Sequence, residues 1–289
     1  MANLFFGEDN LFDSHCHLCD SSFDADRDEV VGRASENGVE KIVDIAVSLE
    51  SSRLAVENAR KYPGIVFAAV GIDPENLVPG SDLYSNNLSR PISFWEEQIN
   101  ELRELISQNR EFVVVVGESG MDAYHLEQKM NAGEVDFATG KQSLKMQEEL
   151  FELHLQLAGE FDLPLSIHSR AAEKHCLEIA KRYPAARGVF HSYTGGYEVA
   201  KSILDAGWAL GVNGIITFKN AEDLRSLYKK ILGEVSSDWS PADFYAKGVY
   251  FETDAPYLAP DGKRGERNEP GNVKDVYEFF FHAVYPTHN

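Results

Sequence analysis

The chain has 289 residues, of which 43% are hydrophobic, 11% aromatic and 26% charged, enough apolar material for one large core. Its 27 lysines and arginines face 47 aspartates and glutamates, and a formal net charge of −20 argues against gripping nucleic acid through a broad basic face. It leaves open an enzyme that meets phosphate through bound cations at one pocket. The N-terminus has neither a basic stretch nor a long apolar one, and no run reaches the roughly 18 apolar residues of a membrane span. The three cysteines, Cys16, Cys19 and Cys176, are an odd and sparse set suited to a reducing compartment, so a cytoplasmic location is expected.

In chain order, the apolar run at 11–15 predicts a first strand, and 27–37 a helix that Gly38 would cap. Strands follow at 41–46 and 65–71, with a helix at 51–61 between them. A helix at 94–107 repeats apolar residues at Ile99, Leu102, Leu105 and Ile106. Residues 112–116, a phenylalanine and four valines, predict a strand buried on both faces. The longest helical pattern is 143–161. Further strands are expected at 163–167, 188–190, 209–212 and 249–253, with helices at 171–182, 197–205, 221–232 and 273–283. Eight strand-then-helix units argue for a single (β/α)₈ TIM barrel over 1–289, with the active face at the C-terminal ends of the strands. Two long loops, 73–92 and 121–142, are expected to shape substrate access there.

The strand ends carry a pattern of their own. His15 and His17 lie on the same side of an extended segment, because strand side chains alternate with period two. Glu118 follows the fourth predicted strand, His168 the fifth, His191 the sixth and Asp254 the eighth. Four histidines on three strands, with acids on two more, point to a metal site rather than to core histidines. The other five, His125, His154, His175, His282 and His288, are expected to be solvated.

The stretches 13–18 (DSHCHL), 117–122 (GESGMD), 167–170 (IHSR), 190–195 (FHSYTG), 214–221 (GIITFKNA), 252–260 (ETDAPYLAP) and 264–270 (RGERNEP) resemble, in order, the TatD family of metal-dependent hydrolases. The resemblance implies two divalent metal ions, Mg, Mn or Zn. One would be held by His15, His17 and Asp254, the other by His168 and His191, with Glu118 bridging both. It also implies deoxyribonuclease activity at DNA ends, and a deep barrel mouth with two ions suits single-stranded ends better than a duplex midpoint. Paired ions suit water activation beside a phosphate, Asp254 could accept the proton, and Arg170 is placed to pair with a phosphate oxygen. A salt bridge from Arg170 to Glu118 or Asp122 is the competing expectation.

Three departures from the family pattern stand out. Asp73 occupies a position where the family usually has a histidine beside the substrate, and a carboxylate there would repel phosphate. The stretch 124–142 is longer and more acidic than usual, and Glu266 stands where lysine is common, in a chain that ends soon after its last predicted helix begins. These changes favour a second reading, a metal-dependent amide or ester hydrolase acting on a small acyl substrate. A barrel that keeps metal only for stability or binding ranks third.

Overall fold

The structure is a computed structural model describing residues 10–284 apart from 82, 84–86, 237 and 238. Among the described residues, eight strands alternate with helices. The first half runs β1 (Phe12–Cys16), α1 (Arg27–Glu36), β2 (Lys41–Ile45), α2 (Leu49–Lys61), β3 (Val66–Val70), α3 (Ile92–Gln108), β4 (Val113–Asp122), α4 (Tyr124–Asn131) and α5 (Phe137–Phe161). The second half runs β5 (Leu165–Arg170), α6 (Glu173–Ala180), β6 (Gly188–Phe190), α7 (Tyr197–Asp205), β7 (Ala209–Val212), α8 (Glu222–Leu232), α9 (Pro241–Ala246), β8 (Val249–Phe251) and α10 (Val273–Phe279). No helix among these residues is long and apolar enough to cross a membrane.

The strands pair in parallel in sequence order, β1 through β8, which is the order of a (β/α)₈ barrel. Closure between β8 and β1 is made by the residues just past β8. Asp254 N donates to His15 O at 2.8 Å and His17 N donates to Ala255 O at 2.7 Å. Ser14 Oγ donates to Phe251 O at 2.9 Å, and the buried Asp13 carboxylate accepts from Thr253 N at 2.9 Å and Thr253 Oγ1 at 2.5 Å. The closing seam therefore carries the first histidine pair on one side and Asp254 on the other.

Period two sorts the side chains of the strands. Val43, Ile45, Ala69 and Val115 form a small cluster of their own, whereas Ile42, Ala68, Val70 and Val116 join the large core. Asp44, between Val43 and Ile45, accepts from Asn58 Nδ2 on α2 at 2.8 Å, which marks its face as the helix side and the small cluster as the barrel interior. At the end of the chain Phe244, Phe251, Tyr277 and Phe280 pack edge to face, holding α9 and α10 against β8.

Several expectations need correction. β4 runs on to Asp122 instead of stopping at residue 116, and β5 runs on to Arg170, so Glu118 and His168 sit within strands. The register shifts between Val116 and Ser119, and Gly120, at φ +137°, lets β4 lie close to β5: a Cβ there would meet His168 O at 2.0 Å. The expected loop 121–142 is instead α4 and the first turns of α5, whose start is capped by Asp136 accepting from Thr139 N at 2.9 Å. The loop 73–92 contains 3-10 turns at Pro74–Leu77 and Asn87–Ser89. His288 lies outside the described residues.

His154, expected to be solvated, is fully buried on α5. Its Nδ1 donates to Leu150 O at 2.8 Å and its Nε2 accepts from Ile72 N at 3.0 Å, so the ring pins the start of the loop after β3. Burial pushes its pKa down to about 4 from the ordinary 6.5. Between those values the unfolded chain binds the extra proton, so stability should fall as pH drops from 6.5 towards 4. In His154→Leu that part of the acid limb, worth at most about 3 kcal/mol, should vanish in denaturant titrations across pH, alongside a loss at neutral pH from the unpaired Ile72 N–H.

Candidate metal centre

The C-terminal ends of β1, β4, β5, β6 and the residues after β8 converge on one pocket of about 680 Å³. At its floor lies Glu118, only 3% exposed. Its Oε2 is 3.5 Å from His15 Nε2 and 3.6 Å from His17 Nε2, while Asp254 Oδ1 lies 3.6 and 3.3 Å from the same two nitrogens. Its Oε1 is 2.8 Å from His168 Nδ1 and 2.7 Å from His191 Nε2, which are 3.3 Å from each other. All six residues expected from sequence are thus brought together, in two clusters that share one carboxylate.

The outer contacts of the rings decide which nitrogens face the centre. His17 Nδ1 lies 2.9 Å from Ile45 O, which can only accept, so Nδ1 donates and Nε2 keeps its lone pair for a ligand. His168 is oriented the opposite way round: Nε2 lies 3.0 Å from Asp122 Oδ2, leaving Nδ1 towards Glu118. His15 is held through Nδ1 by Ser166 Oγ at 2.8 Å, and its ring stacks on His191 with centroids 3.9 Å apart. His15 Nε2 is buried without a hydrogen-bond partner, between two carboxylates. An orphaned imidazole nitrogen facing oxygen donors is what a divalent cation would satisfy, and the donor set fits one.

The electrostatics agree. Burial disfavours the charged form of Glu118, but the surrounding His191, His15 and His168 outweigh it and hold the carboxyl well below the usual range. Burial, reinforced by His191, lowers His15 to about 4, so this ring is neutral at pH 7. His17 behaves differently: burial opposes its charge, but Asp254 and Glu118 prevail and raise it to about 10. His168 is likewise raised, by Asp122 and Glu118 against its burial. Without metal these two rings hold protons that a cation would displace.

Sequence reasoning missed three supporting acids. Asp122 orients His168; it is i+4 from Glu118 on β4, so strand period alone placed it on the same side. Glu252, two residues before Asp254, is fully buried; its Oε1 accepts from Ser192 N at 2.5 Å and lies 3.8 Å from His191 Nδ1. Asp13, two before His15, ties the seam described above. His125, expected to be solvated, is half-buried on α4, with Nδ1 2.9 Å from Asp122 Oδ2 and 3.2 Å from Glu75 Oε1. His175 and His282 are exposed as expected.

Arg170 and Asp73 both line the pocket. Arg170 is exposed and, among the described residues, makes no ion pair with Glu118 or Asp122; its guanidinium lies 4.3 Å over the Tyr124 ring. Asp73 is 4% exposed and its Oδ1 accepts from Glu75 N at 2.6 Å, capping the 3-10 turn that follows β3. Burial and the charge of Glu118 push its carboxyl well up.

Two outcomes follow from this geometry. Loading with Zn²⁺ or Mn²⁺ at pH 7 should release protons and raise the unfolding temperature, with affinity falling as pH drops and His17 and His168 compete for protons; calorimetry in buffers of different ionisation enthalpy measures this. Asp122→Ala should weaken metal affinity about 10–100-fold by freeing the His168 ring, whereas Glu148→Ala on the outer surface should leave it unchanged in the same titration.

Comparison with known proteins agrees with the site. The family model described as TatD related DNase matches residues 12–284. An uncharacterized metal-dependent hydrolase, YabD of Bacillus subtilis, is 32% identical over 270 residues, covering 93% of this chain and 89% of that protein. YcfH of Escherichia coli K12, described in the same words, is 30% identical over 274 residues, covering 93% and 86%. Among solved structures, the TatD homologue YjjV of Escherichia coli superposes with a TM-score of 0.74 at 24% identity, covering 96% of this chain and 91% of that one. With the strand order of a (β/α)₈ barrel and the histidine–carboxylate clusters at its mouth, the chain belongs to the TatD family of metal-dependent hydrolases.

Proposed function

We propose that the protein hydrolyses phosphodiester bonds at DNA ends, single-stranded ends above all, at a centre of two divalent cations. The observation that carries this reading is the division of Glu118, one oxygen towards His15 and His17 and the other towards His168 and His191. His15, His17 and Asp254 would hold one ion, His168 and His191 the other, and Glu118 would contact both. Four imidazoles among six donors favour zinc or manganese over magnesium, which prefers oxygen. When bound, such ions lower the pKa of water and neutralise charge developing on phosphate oxygens.

The chain's own residues do the rest. Asp254 sits at φ +59°, a left-handed conformation that aspartate tolerates, with its carboxylate against the first histidine pair. Burial opposes its charge, but His17 and its neighbours hold it ionised and able to accept a proton from attacking water. Arg170 supplies a guanidinium on the pocket wall for a phosphate oxygen. Tyr257, 56% exposed at the mouth, offers a ring to an unstacked base, consistent with strand ends over duplex.

One observation favours the second reading, a metal-dependent amide or ester hydrolase. The pocket that Arg170 lines is also lined by six acids, Asp20, Asp73, Glu75, Glu118, Glu173 and Asp254. Bound divalent cations would offset the ionised acids of the floor and leave a wall that suits a small, weakly anionic substrate as well as a polyanion.

The deciding assay is a time course on end-labelled single- and double-stranded oligonucleotides, metal-free and with Mg²⁺, Mn²⁺ or Zn²⁺, beside a panel of amides and esters. Stepwise, metal-dependent shortening is expected, and Glu118→Gln should reduce it at least about 100-fold, because the substitution removes an anion contacting both ligand clusters. Turnover of esters by metal-loaded protein that leaves every oligonucleotide intact would replace the first reading with the second.

A further inference from the structure

A row of hydrogen bonds runs from the exposed guanidinium of Arg170 on the pocket wall to the histidine–carboxylate cluster. Arg170 Nη1 lies 3.1 Å from His125 Nε2. His125 Nδ1 lies 2.9 Å from Asp122 Oδ2, and the same oxygen is 3.0 Å from His168 Nε2. His125 N also donates to Asp122 Oδ1 at 2.7 Å, locking the start of α4 to the end of β4. Beneath the guanidinium lies the Tyr124 ring.

The donors and acceptors in this row have one consistent assignment. A guanidinium only donates, so His125 Nε2 must accept, and the hydrogen of His125 sits on Nδ1. Nδ1 then donates to Asp122, with Glu75 Oε1 at 3.2 Å as a second acceptor. Asp122, a carboxylate, accepts from both rings, which places a hydrogen of His168 on Nε2 and leaves Nδ1 as the nitrogen facing Glu118, where a cation would displace its proton. Arg170 makes no ion pair among the described residues, so Tyr124 and His125 are what hold a long, exposed side chain in place.

We infer that His125 and Tyr124, on the helix inserted after β4, are positioning residues that clamp Arg170 as an oxyanion-binding arm beside the centre. This rests on the proposed phosphate-binding role of Arg170 and deepens it, by naming what preorganises the guanidinium and what ties it to His168. A guanidinium held by a ring face and one neutral acceptor keeps its remaining donors free for an anion, whereas a carboxylate partner would spend its charge. The group recognised is a phosphate or carboxylate oxygen pair on the substrate, on the His168 side of the pocket.

Binding of inorganic phosphate to the metal-loaded protein tests this without turnover. By calorimetry, Arg170→Ala and His125→Leu should each raise the phosphate Kd about tenfold, the loss of one charge-assisted contact. The double variant should be no weaker than Arg170→Ala alone, because His125 acts only through the arginine. His125→Gln, which keeps an acceptor and a donor, should recover affinity to within about threefold of the parent. Metal content should be unchanged in all four. In the unsubstituted protein, ¹⁵N NMR should find the His125 hydrogen on Nδ1, a readout that depends on no variant folding.

Phosphate affinity in His125→Leu equal to the parent's, while Arg170→Ala is weakened, would overturn the inference; so would a hydrogen on Nε2, or no phosphate binding by the parent. Failure to cleave oligonucleotides with phosphate binding and its His125 dependence intact would sink the nuclease reading alone and leave the arm standing.

Discussion

The structure turns on a carboxylate that would be intolerable by itself. Glu118 is buried at the bottom of a barrel mouth, where an isolated negative charge costs several kcal/mol. It is kept ionised because four imidazoles face its two oxygens in pairs. Each pair comes from a different part of the barrel: His15 and His17 from β1 and its end, His168 and His191 from β5 and the end of β6. The charge thus binds opposite walls of the mouth to one point, and the rings of His17, His15 and His168 are secured from behind by Ile45, Ser166 and Asp122.

That arrangement depends on how β4 is built. Gly117 and Gly120 both take positive φ, and the register with β5 shifts between Val116 and Ser119. Glu118 and Asp122, four residues apart, share one side of the strand, where one faces the histidines and the other reaches past His168 to orient it. Gly120 sits so close to His168 O that a side chain there would have to displace the strand that supplies a ligand. Strand period thus puts two carboxylates on one side, and the close approach of β4 to β5 at Gly120 brings both to one imidazole.

Charge balance shapes what the site can accept. Histidines and bound cations can neutralise the floor, but Asp73, Glu75, Glu173 and Asp20 remain on the walls. Against them stands Arg170, whose partners are an aromatic ring and an imidazole rather than an acid. An anion entering this pocket would be drawn to the floor and to that one wall, which fixes its orientation more than it adds attraction.

Much of this was legible in residue order. The strand–helix rhythm set the barrel, and His15, His17, Glu118, His168, His191 and Asp254 stood out because metal-binding side chains recur at strand ends, where backbone regularity puts them on one face. What residue order could not supply was where strands stop: apolar runs ended β4 at residue 116 and β5 at 167, whereas pairing between the two strands carries both onward through polar residues. Hydrogen bonding across a sheet is a property of neighbours distant in sequence, and so Asp122 became visible as an orienting acid only once β5 lay beside it. The same reason hid His125, which a helix brings to Arg170 from 45 residues away, and His154, which α5 brings against the segment following β3. A side chain's type and spacing determine what it could bind; its burial and its partner are decided by which other segment the fold lays against it.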